Sequence, residues 1–148
     1  MHIFIAFLHH LAAFGLVSAL VAELALLQLS FSLELAKKIR AFDALYGACA
    51  GLIVLLGALR VMYFEKAPDY YLHSAPFLLK MGLFALVGLI SLYPTIVFLK
   101  WGASLKAGAL PPLSAGQRQN LLRILALELF GVLGIILAAV LMAKGVQI

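Results

Sequence analysis

A chain of 148 residues that is 66% hydrophobic and only 11% charged carries more apolar surface than one soluble domain of this size can bury, so lipid must solvate most of it. The net charge of +5 would suit a nucleic-acid partner, but the Lys and Arg residues sit mostly between apolar runs, which makes the charge a matter of membrane orientation and argues against nucleic acid. The lone cysteine, Cys49, excludes an internal disulfide and is read as a buried, inert thiol.

About 20 apolar residues at 1.5 Å per residue cross the hydrocarbon of a bilayer. Four windows are long enough, and because backbone groups in lipid must bond internally they should be helices, at about 4–29, 44–64, 77–99 and 115–141. The expected fold is all-α: an integral membrane four-helix bundle formed by one domain spanning residues 1–148.

The first helix contains "FLHHLAAFGLVSALVAELALLQ", with His9, His10 and Glu23 inside an otherwise apolar run. Small residues such as Ala22 and Ala25 could mimic a leader's cleavage site, but its length and the lack of a Lys or Arg ahead of Phe4 lead to the expectation of a mature helix. Ala12, Gly15, Ala19 and Ala22 form a small-residue stripe suited to close helix contact. The first connection carries Lys37, Lys38 and Arg40, and Arg40 and Asp43 are read as the start of the second helix. That helix offers Gly47 and Gly51 in "GACAG", then Gly57, as packing positions, and ends near Arg60, Tyr63 and Glu65.

The second connection, within "EKAPDYYLHSAPF", supplies Tyr70, Tyr71 and His73, while Lys66 is offset by Glu65 and Asp69. In the third helix a rotation of 100° per residue gathers Lys80, Phe84, Val87, Ser91 and Thr95 into one sector, expected to face the bundle. Pro94 would free a carbonyl for Ser91 or Thr95 to cover. Trp101 and the tyrosines at the other end suit interfacial aromatic belts. In "PPLSAGQRQNLL", Ser114 followed three residues later by Gln117 reads as a capping box that starts the fourth helix near Ala115. Gly131, Gly134 and Ala138 give that helix its packing face. The basic first and third connections, the latter with Lys100, Lys106 and Arg118, are expected in the cytoplasm, which puts both termini on the extracytoplasmic side.

This topology gathers the histidines at the outer end, where His9 and His10 share a depth with Arg60, Tyr63 and Lys80. Imidazole ligates haem iron, zinc or copper, and Arg, Lys and Tyr hold propionates or other anions. The competing account is interfacial: histidines bonding to headgroups and a lysine reaching up to the surface. His9 and His10 lie about 100° apart around the helix, so they would not ligate one ion together; periodicity favours His9. At the inner end, Glu23 and Glu128 reach similar depths and are expected to be protonated or to pair with a cation such as Arg123 or Arg40, as a helix-locking contact or as a proton path or substrate gate.

"HHLAAF", "GLIVLLGALRVMYFEKAPDYYLHSAPFLLK" and "LFALVGLISLYPTIVFLKW" resemble, over nearly the whole chain, an uncharacterised bacterial membrane family, domain of unknown function 2214. That resemblance implies a fold and no activity. An early histidine with a lysine opening the third helix is more distantly similar to the haem-b-binding four-helix protoporphyrinogen IX oxidases and to copper-resistance membrane domains. It implies His9 or His10 as one axial ligand, Lys80 as the other or as a propionate partner, and Arg60 as a further cofactor contact. Helix one lacks a tryptophan after its histidine, and "LYPT" stands where the oxidases tend to place a histidine. The resemblance therefore bears on haem binding more than on porphyrin oxidation.

The resulting expectation is a bacterial inner-membrane protein that holds haem b near its outer face and serves electron transfer or porphyrin-linked oxidoreduction, as a membrane oxidoreductase if it is an enzyme. His9 or His10 would ligate iron, Lys80 or His73 would take the opposite face, and Arg60, Tyr63 and Tyr71 would anchor propionates. Copper or small-solute transport, and a noncatalytic subunit role, are the alternatives. Expected partners are the bilayer, a membrane redox protein or quinone, and further copies or companion subunits.

Overall fold

The computed structural model describes residues 2–64 and 73–144. Helix α1 runs His2–Leu26 and α2 runs Leu33–Leu59, continued by a π-helical turn at Arg60–Phe64. Helix α3 covers Ala75–Lys106 and α4 covers Ala115–Ala143. The described residues thus form an all-α structure whose four helices are each long and apolar enough to cross a bilayer.

Local chemistry sets the ends. The Ser32 hydroxyl accepts from the Leu35 backbone N–H at 3.2 Å and starts α2, and Glu34 in the first turn suits the positive end of the helix dipole. The helix therefore begins at Leu33, ahead of the expected Ala44. Leu35, Ala36 and Ile39 are buried while Lys37 and Lys38 are exposed, so this first stretch is amphipathic and escapes a search for unbroken apolar windows. Helix α3 likewise continues past Leu99, because Phe98 and Trp101 are buried near its end. The Ser114 hydroxyl accepts from the Gln117 N–H at 3.1 Å, which fixes the start of α4 at Ala115.

The helices pack as two hairpins. Helix α1 lies mainly on α2 and α3 mainly on α4, with sparser contact between α1 and α4 and between α2 and α3. Close approach is visible where a side chain would collide: a Cβ at Gly15 would stand 2.8 Å from the Cys49 sulfur, and one at Gly131 would run into Val87. The stripe Ala12, Gly15, Ala19 and Ala22 is turned inward. Gly47 and Gly51 differ from the expectation: no atom lies within 4 Å of a Cβ built at either, so the "GACAG" pair meets no other helix of this chain. Small size marks where a backbone can be approached, without saying by what.

Trp101 also departs from the sequence reading. It is only 3% exposed, with its ring centroid 5.2 Å from Phe31 and 4.9 Å from Phe98, so it is a core residue and not part of an interfacial belt. The surface is apolar elsewhere, with Phe4, Phe7, Phe14, Leu127 and Phe130 exposed as lipid-facing side chains. Helix α3 continues through Pro94. The Ser91 hydroxyl donates to the Gly88 carbonyl at 2.8 Å and the Thr95 hydroxyl donates to Asp43 at 2.7 Å, so both are engaged elsewhere than at the carbonyl Pro94 frees.

Candidate functional site

Two polar regions sit at opposite ends of the bundle. The first is built on the early turns of α1 and the π turn that follows α2. His9 is half-buried and faces α2, where a Cβ at Gly57 would lie 3.4 Å from its Cε1. The imidazole thus packs against the Gly57 turn at a distance that a methyl group there would meet as ordinary contact. The Nδ1 atom of His9 is buried and meets no partner in good hydrogen-bond geometry, with the Ile53 backbone the near polar group and Arg60 and Lys80 within electrostatic reach of the ring.

His10, one residue on, is exposed, and its Nδ1 lies 2.6 Å from the Ala6 carbonyl of its own helix. The two rings are edge-to-face at 6.0 Å. Of the other expected cofactor contacts, Tyr63 is 69% exposed and His73 is exposed just ahead of α3. Tyr71, with Glu65, Lys66, Asp69 and Tyr70, lies outside the described residues. The structure thus gathers His9, Arg60 and Lys80, and turns His10, Tyr63 and His73 toward the surroundings. A π turn at Arg60–Phe64 fits a functional end, since such turns recur at binding sites. Among the described residues no three His, Cys, Asp or Glu side chains group as a metal-ligand set.

The second region lies toward the basic end. Glu23 of α1, Asp43 of α2 and Glu128 of α4 are all buried, and each carboxyl is within electrostatic range of another. Tyr46, one turn beyond Asp43, is buried with its phenol near Glu128 and Ser91. One oxygen of Glu23 and one of Glu128 have no hydrogen-bond partner. The cation partners expected for them are placed elsewhere: Arg123 is exposed, and the Arg40 guanidinium crosses Gly102 of α3, 3.0 to 3.2 Å from where a Cβ would be. Lys37 and Glu34 form the ion pair recorded among the described residues, at 2.9 Å on the exposed surface.

A groove of about 600 Å³ opens beside this cluster between α2 and α3, with Lys37, Arg40, Asp43, Thr95 and Lys106 among its lining residues. The sequence reading missed Asp43 and Tyr46 as members of this site. It took Asp43 for a helix start, whereas α2 begins at Leu33 and carries Asp43 into the interior. The signal that could have found them is their spacing of three, which puts a carboxyl and a phenol on one helix face.

These features sit in a chain whose length is matched almost entirely by one family model, over residues 1–147. The chain belongs to the DUF2214 family of predicted membrane proteins. No curated protein and no solved structure matches it. This DUF2214 member is accordingly a multi-pass membrane protein with four apolar helices, and its activity has to be argued from the two polar regions.

Proposed function

We propose that this DUF2214 member is a bacterial inner-membrane protein that binds haem b at the outer end of the bundle and serves electron transfer or porphyrin-linked oxidoreduction. The observation that supports this reading is the half-buried imidazole of His9 at the outer end with Arg60 and Lys80 in range. A neutral imidazole is a common ligand of haem iron, and the early turns of α1 present one at the outer end. Two nearby cations disfavour a bare metal ion but suit a chelate that brings its own carboxylates. The residues therefore fit haem better than they fit free copper.

His9 would hold the iron, Arg60 would receive a propionate, and Lys80 would hold the second propionate or serve as a further iron ligand. When bound, haem supplies one-electron redox chemistry, while the chain sets its potential by ligand identity and burial. His10 would contribute through its contact with the His9 ring rather than as a ligand. A membrane redox protein or quinone would exchange the electron, and the open Gly47–Gly51 surface would receive a second copy or a companion subunit.

The test is the absorption spectrum of the protein purified in mild detergent after expression with ample haem supply. The expected result is a Soret band with sharp reduced bands, lost in His9→Ala, retained in His10→Ala, and weakened in Arg60→Ala. A colourless wild-type protein that also fails to bind added haem overturns the proposal.

A further inference from the structure

The cluster at the other end has a different chemistry and does not depend on the haem reading. Its members come from every helix: Glu23 from α1; Asp43 and Tyr46, with Arg40 nearby, from α2; Ser91 and Thr95 from α3; and Glu128 from α4. Glu23 is 2% exposed and Glu128 is 1% exposed, and one oxygen of each lacks a donor. Carboxyls at such a position need a cation or a proton. Arg40 is the nearby cation, and it lies at the Asp43 edge against Gly102 rather than between the two glutamates. Among the described residues these carboxyls do not group as a metal-ligand set. A proton on one carboxyl, by contrast, removes the charge that burial penalises and turns an acceptor-only group into a donor.

Access is also visible. Asp43 and Thr95 belong both to the cluster and to the wall of the groove that opens among Lys37, Arg40 and Lys106. The Thr95 hydroxyl donates to Asp43, so the groove ends on a hydrogen-bonded carboxyl that is electrostatically coupled to Glu23. We propose that Glu23 and Glu128, with Asp43 and Tyr46, form a proton-binding cluster inside the bilayer that exchanges with water through the groove between α2 and α3. The class of ligand is the proton, and the cluster gives the protein a means of taking up protons from its basic, cytoplasmic end.

Infrared spectroscopy of the full chain in detergent or liposomes tests this directly. The wild-type protein at neutral pH should show the carbonyl stretch of a protonated carboxyl that shifts in D2O. Glu23→Gln and Glu128→Gln, both neutral near-isosteres, should each remove part of it, the combination with Asp43→Asn should remove all of it, and exposed Glu34→Gln should leave it whole. Thr95→Val should slow its exchange with D2O. A wild-type protein without the band, or a band unaltered in both glutamate variants, overturns the cluster; abolition of the band by sodium at constant pH also overturns it, by making the ligand a metal cation. Unchanged exchange in Thr95→Val overturns the route through the groove.

Discussion

At the level of single residues, the bundle is specified by places where a side chain is missing as much as by those where one is present. Gly15 lets α1 approach the Cys49 sulfur so closely that an added methyl group would sit 2.8 Å from it, so Gly15→Ala should destabilise the protein by about 1–3 kcal/mol through overpacking. Cys49→Ala in the same chain should recover part of that loss, and a thermal-melting cycle in detergent over both single variants and the double measures the coupling. An additive cycle would show that the two residues do not touch. The sequence displayed the small-residue stripe containing Gly15, but it could not show that Cys49 was its partner, because composition on one helix carries no register with the next. The same gap hid the contact between His9 and the Gly57 turn, a relation across 48 positions of chain.

At the level of elements, Arg118 shows how a charge counted toward orientation acquires a structural task. Its Nε donates to the Leu27 carbonyl at 2.7 Å and its guanidinium NH2 group donates to the Leu29 carbonyl at 2.6 Å, so the start of α4 closes the end of α1. Helix ends leave carbonyls without intrahelical partners, and a cation there also meets the negative end of the helix dipole. Arg118→Ala should therefore cost about 1.5–3 kcal/mol, the range for hydrogen bonds to charged groups, read as a lower melting temperature in detergent. Arg118→Lys should recover only part, since a single ammonium cannot reproduce the fork; full recovery would reduce the contact to charge alone. Helix existence was legible from apolar run length, and the α4 start from the Ser114 cap, because both are local properties. The α2 start was not, since Leu35, Ala36 and Ile39 bury one face of a stretch whose other face carries Lys37 and Lys38. Trp101 was misplaced for a related reason: an aromatic near a helix end can face lipid or a neighbouring ring, and only packing against Phe31 and Phe98 decides.

At the level of the whole molecule, the four helices alternate, so the α1–α2 and α3–α4 connections fall at one end, together with Lys37, Lys38, Lys106 and Arg118, and the π turn, His9 and Lys80 fall at the other. This arrangement separates the two polar regions by about half the length of α1 and sets each toward a different aqueous phase once the chain spans a bilayer. The charge bias then gives an expectation of which phase is which: an excess of Lys and Arg in short connections favours a cytoplasmic position for that end. In a Cys49→Ala background, a cysteine at Ala109 in the α3–α4 connection should react with a membrane-impermeant thiol reagent only in inside-out vesicles. One at His73, ahead of α3, should react only in intact cells or right-side-out vesicles. The reverse pattern would leave the helices as described but exchange the compartments, so that the imidazole end would meet cytoplasmic electron donors and the carboxyl cluster would draw its protons from outside. Orientation is thus the one property that converts both proposed sites from chemistry into a direction of flow.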